Sequence, residues 1–292
     1  MARDILSDKQ WERLEPLLPP QKPRTGRPSK DHRTIVNAIL WIDRTGAPWR
    51  DLPEEEYGPW PTVATRFYRW VKTGVWDRVL GELQRQADAE GELDWKLHHV
   101  DGSVVRAHQH AAGAKKGEAK KGGGLDAEAP PPPGVGEDSE ALGRSRGGFS
   151  TKIHLLRVEG KGKPVAVLIT AGQRNERSVF KELMERGSVK RTGRGRPRRI
   201  RPERVVGDKG YSSKKKIRAY LRVRGIGAVK FARQKNEKRR AGGFDKEAYR
   251  ERNVVERAIN RLKQFRRVAT RYEKRAVDYK AMLTIAAVVL WL

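Results

Sequence analysis

Four side chains in the segment YRERNVVERAINRLKQF, namely Tyr249, Arg252, Glu256 and Lys263, have types and spacing suited to work on a phosphate. At about 100° per residue they fall at roughly 0°, −60°, −20° and −40° around a helix axis, on one face. Val255, Ala258, Ile259, Leu262 and Phe265 fall on the other side. The predicted helix therefore buries an apolar stripe and presents one carboxylate among cations and a phenol. A solvated face of i,i+4 ion pairs has the same pattern. Two upstream aspartates weigh against that plainer reading. Asp101 interrupts the β-branched run of LHHVDGSVVRAH, and Asp208 follows Val205-Val206-Gly207 in RVVGDKGYSS. Either alone is an ordinary turn acid. Three carboxylates from separate segments can hold two divalent cations, because Mg²⁺ takes a few carboxylate oxygens together with water and substrate phosphates. Two such ions about 4 Å apart activate the attacking oxygen and stabilise the leaving one in an in-line phosphoryl transfer.

The elements that would position these acids are legible in outline. Ser7 with Gln10 three residues on forms a capping box for a first helix carrying Trp11 and Leu14, which Pro16 and Pro19 should end. A second helix is expected from about Asp31, with Ile35, Val36, Ile39, Leu40 and Ile42 inward. A third begins near Thr62, with Val63, Phe67, Trp70 and Val71 apolar and Thr62, Thr65, Arg66, Arg69 and Lys72 opposite. Six of the eight tryptophans lie in residues 1–76, enough to build a small core there. Residues 111–147, with AKKGEAKKGGG and PPPPG, bury too little surface to offset chain entropy, and a flexible insertion is expected. GGFSTKIHLLRVEG and KPVAVLITAGQ alternate as a hairpin around Glu159-Gly160. A helix at about 176–187, the strand carrying Asp208, a helix at about 212–224, a strand at 226–232 and the Glu256 helix complete an α/β order.

Charge names the class of partner. The chain has 292 residues and a net charge of +28, and residues 1–97 are neutral with 16 Lys/Arg against 16 Asp/Glu. Residues 186–240 carry 22 basic residues against 3 acids. A polyanion such as double-stranded DNA is the expected partner of the second part. With no cysteine, disulfides and cysteine-held zinc are excluded. MARDILSDKQWE has no hydrophobic signal core. MLTIAAVVLWL, at 282–292, falls short of the ~20 residues a membrane span needs and reads as a buried helix. A soluble cytoplasmic protein, at the nucleoid when bound to DNA, is expected.

The motifs together carry a resemblance. Tyr-x2-Arg-x3-Glu-x6-Lys around Glu256, VDGSVVRAHQHAAGA at 100–114, LGRSRGGFSTKIHL at 142–155, VVGDKGY at 205–211 and RNVVERAINRLKQFRRVATRYEK at 252–274 resemble bacterial insertion-sequence transposases with a DDE triad, in the insertion-sequence-five group. LSDKQWERLEPLLP and GAPWRDLP at 46–53 fit the same group, so the resemblance spans nearly the whole chain. Glu273 stands where an Asp is usual, and VKFARQ at 229–234 where a Pro-containing run is usual; neither touches the triad. The resemblance implies an RNase H-like mixed five-stranded sheet with flanking helices at 97–292, preceded by a small all-α helix-turn-helix-like domain at 1–90. In that fold the first and fourth strands are neighbours, which would bring Asp101 and Asp208 together. Asp101, Asp208 and Glu256 would then be the catalytic ligands of two Mg²⁺ (or Mn²⁺). Tyr249, Arg252 and Lys263 would contact DNA near the scissile phosphate, and Lys209, Lys214, Lys215, Lys216 and Arg218 would hold its backbone. Cleavage and strand transfer at terminal inverted repeats, by a homodimer or larger assembly on DNA, is the implied activity.

Other features leave alternatives open. The helix at 62–73, with Arg66 and Arg69, suits a recognition helix, but the neutral charge of its region equally suits a helical dimerisation module. KRTGRGRPRR at 190–199 contains a Gly-Arg-Pro core through which Arg194 and Arg196 could enter an A·T-rich minor groove, or it is a basic loop on phosphates. His98-His99 and His108-x-His110 suggest zinc only weakly, since adjacent strand residues face opposite ways. GRSRGG at 143–148 lacks the Lys-Ser/Thr ending of a nucleotide-binding loop, so no nucleotide cofactor is expected. Two rival functions remain: a nuclease of the same fold that cuts without joining, and an inactive or repurposed DNA-binding relative.

Overall fold

The computed structural model describes residues 5–21, 30–112, 140–145, 147–158, 163–189, 202–207, 211, 217–229 and 253–292. Ser7 opens α1 (Asp8–Leu14) through the expected capping box, its hydroxyl accepting from the Gln10 N–H while the Gln10 side chain accepts from the Ser7 N–H. Pro16 does not stop the chain there. It sits in the first turn of a 3₁₀ segment, Glu15–Leu17, where its missing N–H costs nothing. Asp31 caps α2 (His32–Thr45), which ends at Gly46 with φ 72°. A short α3 (Glu54–Tyr57) precedes α4 (Trp60–Lys72), which starts two residues before the expected Thr62 because Pro61 fits its first turn. The next helix, α5 (Val75–Ala89), is not among the expected elements; its Val75, Trp76, Val79, Leu80, Leu83 and Ala87 are buried. Gly81 in its middle and the polar run around it mask that stripe locally.

Among the described residues the sheet is mixed and has seven strands, β1 (Leu97–Ala107), β2 (Gly143–Ser145), β3 (Gly148–Val158), β4 (Pro164–Ala171), β5 (Arg204–Gly207), β6 (Gly227–Ala228) and β7 (Thr270–Arg271). β1 runs antiparallel to β3, with Asp101 opposite Leu155, and β3 runs antiparallel to β4. On its other edge β1 runs parallel to β5, with Val100 opposite Gly207, and β5 runs parallel to β6. Seven strands replace the expected five because β2 folds back on β3 and β7 pairs with the far end of β1. The expected insertion at 111–147 is accordingly too wide. After α6 (Gln109–Ala112), residues 140–145 belong to the ordered structure, since the Glu140 carboxylate accepts from the Ala276 N–H at 2.6 Å and its carbonyl accepts from Arg271 at 2.7 Å. The remainder of that insertion lies outside the described residues.

One face of the sheet is covered by α7 (Glu176–Arg186) and α8 (Ala219–Val223), whose Phe180, Leu183 and Leu221 pack with Val100, Leu156 and Leu168. The expected helix at about 212–224 and strand at 226–232 are described only as α8 and β6. On the opposite face, Val105, Ile153, Leu155 and Ile169 meet α9 (Asn253–Lys263) and α11 (Ala276–Trp291), with α10 (Arg266–Ala269) between those two helices. α11 is buried nearly all round, as a core helix must be when apolar on every side. α2, α4 and α5 pack against its outer flank, so Trp11, Phe67, Trp70 and Trp76 share one core with the sheet. Among the described residues no helix is long and apolar enough to cross a membrane.

A buried charged seam joins the two halves of the sequence. The Arg267 guanidinium donates to the Glu273 carboxylate and, at 2.6 Å, to the Ala47 carbonyl, and lies 5.7 Å from the Trp49 ring centroid. The GAPW and RRVATRYEK motifs therefore clasp one another. Behind them Asp43 is fully buried, and neither of its oxygens has a hydrogen-bond partner among the described residues. Burial, then the charge of Glu273, pushes the Asp43 carboxyl well up, against the opposing Arg267 and Arg44. A raised acid favours the folded state while it stays protonated, and that contribution fades as pH climbs from the ordinary carboxylate range through the raised value. Asp43→Asn, which cannot ionise, is therefore expected to gain stability relative to the parent as pH rises. Urea midpoints at mildly acid and at alkaline pH measure this; a gap that does not widen toward alkaline pH refutes it.

Candidate active site

Asp101 lies on β1 where the strand's pairing changes. One edge is bonded throughout to β3, but the other meets β5 only at Leu97–Val100 and β7 only at Arg106–Ala107. Among the described residues, no strand covers residues 101–105 on that edge. Asp101, Ser103 and Val105 share one face by the period of a strand. Asp101 is half-buried, and its Oδ1 accepts the Gly102 N–H at 2.8 Å.

α9 approaches this opening from the same face. Its Ala258, Ile259 and Leu262, with Phe265 just beyond, are buried in the core shared with Val105. At its last residue the Lys263 ammonium donates to Ser103 Oγ at 2.7 Å, and burial pulls that ammonium's pKa down. Glu256 is exposed in the first turn of the helix. Seven residues separate it from Lys263, about 10 Å along the axis and only ~20° around it, so the two share a helix face. Glu256 and Asp101 thus belong to the same side of the sheet, on elements joined by the Lys263–Ser103 bond.

The opposite face of β1 holds a buried polar cluster absent from the sequence-based set. His154, opposite Gly102 on β3, is fully buried. Its Nδ1 is 3.2 Å from the Tyr211 hydroxyl and its Nε2 2.9 Å from Thr170 Oγ1. Thr170 Oγ1 is also 3.3 Å from the Ala171 carbonyl, an arrangement that suits the tautomer in which His154 Nε2 donates to Thr170 and Nδ1 accepts from Tyr211. Burial, then the Lys152 charge, pulls the His154 pKa down to about 3, so the ring is neutral. Beside it Lys152 donates to Glu176 at 2.7 Å and to the Arg174 carbonyl at 2.8 Å. Lys152 and His154 alternate in FSTKIH and Tyr211 closes VVGDKGY, but only the pairing of β1 with β3 on one edge and β5 on the other brings them together.

Not every predicted site residue is described. Asp208 follows Gly207, the last residue of β5, and lies outside the described residues. So do Tyr249, Arg252, Lys209, Lys214, Lys215, Lys216, Arg194 and Arg196. Arg218 immediately precedes α8. Arg66 and Arg69 lie on α4. Arg66 is half-buried with its guanidinium 5.7 Å from the Trp70 ring centroid, and Arg69 rims a groove of about 930 Å³ between α4 and α11. Among the described residues no three histidine, cysteine or acidic side chains gather as a metal site. His108 packs against Tyr272, with ring centroids 5.0 Å apart. The acids that are described nonetheless suit a hard divalent cation, being oxygen donors on a half-exposed strand and an exposed helix turn.

The described architecture is a mixed sheet flanked by helices, with acids on β1 and on the helix docked across it. Residues 99–291 match the family described as "Transposase DDE domain", and residues 6–80 match "Putative transposase of IS4/5 family". The chain belongs to the insertion-sequence DDE transposases. It is 42% identical over 116 residues to "Uncharacterized protein y4sN" of Sinorhizobium fredii, covering 40% of this chain and 87% of that protein. It is 39% identical over 123 residues to "Insertion element IS402 uncharacterized 16.2 kDa protein" of Burkholderia cepacia, covering 40% of this chain and 82% of that one. Similarity to "Putative transposase for insertion sequence element IS402", also of Burkholderia cepacia, is 33% over 132 residues, or 45% of this chain and 58% of the other. No solved structure matches the chain.

Proposed function

We propose that this transposase cuts DNA at the terminal inverted repeats of its element and joins the freed ends to target DNA, with Asp101, Asp208 and Glu256 as ligands of two Mg²⁺ or Mn²⁺ ions. The observation that carries this reading is the Lys263–Ser103 bond, which docks the Glu256 helix on the Asp101 side of β1. The sheet order β4-β3-β1-β5-β6, antiparallel then parallel, supports an RNase H-like fold for residues 97–292. β5 ends with Gly207 paired to Val100, so Asp208 is the next residue in sequence after the cross-strand partner of Asp101's neighbour. Bound divalent cations would supply activation of the attacking oxygen and neutralisation of charge on the leaving one.

The chain's own residues would do the rest. The three carboxylates hold the site, and Tyr249, Arg252 and Lys263 position the strand beside it. Lys209, Lys214, Lys215, Lys216 and Arg218 grip the backbone, and Arg194 and Arg196 reach flanking DNA. Residues 1–90 form a helix-turn-helix-like domain that reads the element ends through α4, including Arg66 and Arg69. Water attacks the phosphodiester at the element end and leaves a 3′-hydroxyl. That hydroxyl attacks a target phosphodiester and displaces a second 3′-oxygen, with no protein–DNA covalent bond. Two ends act together, on a dimer or larger assembly.

Strand transfer tests the joining step. Precleaved duplex ends carrying a free 3′-hydroxyl, incubated with protein, Mg²⁺ and supercoiled plasmid, should become covalently joined to the plasmid. Nicking of the plasmid without joined product would identify a nuclease instead.

A further inference from the structure

We propose that Tyr211 is a positioning residue for the metal site, its buried hydroxyl fixing the segment that carries Asp208 against the one that carries Asp101. The inference rests on the metal-site reading above and concerns what sets the geometry of that site. Asp101 has two neighbours on β1, and each is tied to the other acid's segment. Val100 pairs with Gly207, the residue before Asp208. Gly102 lies over the Tyr211 hydroxyl, so close that a methyl built on it would stand 3.5 Å from that oxygen. Gly207 and Tyr211, which flank residues 208–210 in sequence, are therefore anchored against the two neighbours of Asp101.

The Tyr211 anchor is built to hold. Its side chain is fully buried beside Phe180, with ring centroids 6.1 Å apart. Its hydroxyl ends a hydrogen-bonded chain that links Tyr211 with His154 Nδ1, His154 Nε2 with Thr170, and Thr170 with the Ala171 carbonyl. Ring burial alone would fix the depth of Tyr211. The hydrogen bond adds a fixed direction, because a buried hydroxyl left without its acceptor carries a desolvation penalty. Outer partners of this kind orient ligands without touching the ion, and losing one typically weakens metal binding about 10–100-fold.

The test uses the full chain and the metal alone. Mn²⁺ binding is followed by the paramagnetic resonance of the free ion, and Mg²⁺ binding by competition against it, for the parent, Asp101→Asn, Tyr211→Phe and Thr170→Val. Asp101→Asn should lose Mn²⁺ binding. Tyr211→Phe keeps the ring and should weaken Mg²⁺ about 10–100-fold. Mn²⁺ should be weakened less, because Mg²⁺ demands nearer-ideal octahedral geometry and ordinary destabilisation would not separate the two ions. Thr170→Val breaks the far end of the chain without reaching either acid and should shift both affinities the same way by a smaller factor. It serves as the readout if Tyr211→Phe does not fold. Parent-like Mg²⁺ affinity in a folded Tyr211→Phe or Thr170→Val, with Asp101→Asn inactive in binding, overturns the positioning role and leaves the metal site standing. Parent-like binding in Asp101→Asn overturns the metal-site reading and the positioning role with it.

Discussion

Asp101→Ala and Glu256→Ala, made singly, should each lower strand cleavage by on the order of 10³-fold, the scale seen when one preorganised electrostatic group is removed from a reacting site. Binding of the uncleaved end duplex should change little, because DNA affinity is dominated by Lys and Arg contacts to phosphate. Removing an acid should if anything strengthen it slightly. Folding should be nearly untouched for Glu256→Ala, since that side chain is exposed and its helix is held by Ala258, Ile259, Leu262 and the Lys263–Ser103 bond. Asp101→Ala removes an acceptor from the Gly102 N–H, at a cost of about 1 kcal/mol. Cleavage on a labelled end duplex, beside a gel-shift titration and a melting curve, separates these effects. Parent-like cleavage by either variant would remove that residue from the catalytic set.

Arg271→Ala should produce the largest loss of stability of any single substitution considered for this protein, about 3–5 kcal/mol, the usual cost of stripping the groups around a buried charge of their partner. Arg271 is fully buried at β7, and its guanidinium reaches five oxygens, the Glu273 carbonyl from Nε, the Lys274 carbonyl from Nη2, and the Glu140 and Ala141 carbonyls and the Thr151 hydroxyl, which share the two N–H groups of Nη1. One side chain thus ties the residues ahead of β2, the start of β3 and the turn before α11. Arg271→Lys should recover little, since an ammonium has three donors and no planar fork. Urea denaturation followed by tryptophan fluorescence would show both variants shifted to lower midpoints. A lysine variant as stable as the parent would mean that charge, and not the five-way geometry, is what the site requires.

What could be read from the sequence was mostly local. The Ser7–Gln10 capping box, the helix expected from about Asp31 and the inward Ala258, Ile259, Leu262 and Phe265 each depend on residues within a few turns of one another, and each is present in the structure. The adjacency of β1 and β5 was foreseen through the family resemblance and not through any local pattern. α5 escaped because its apolar stripe is diluted by Gly81 and charged neighbours, and its burial depends on α11, far away in sequence. β2 escaped because three residues, Gly143-Arg144-Ser145, carry no strand signal until β3 lies beside them. The His154–Tyr211 bond joins residues 57 apart, and neither motif announces the other. Within the candidate site, residue types and helix phase put Glu256 and Lys263 forward as candidates on one helix face. The partner of Lys263, Ser103, required the three-dimensional fold.

The placement of α11 bears on how the molecule comes into being. α4 and α5 rest on one flank of it and β4 on another, so a nascent chain that has emerged only through β6 still lacks the surface both must cover. The tryptophan-rich helices made early have to wait for residues 276–291 before their apolar sides close. Such late, long-range closure slows folding and keeps sticky surface open on the ribosome. A partly translated copy is therefore exposed to chaperones and proteases before its helices and sheet share a closed core.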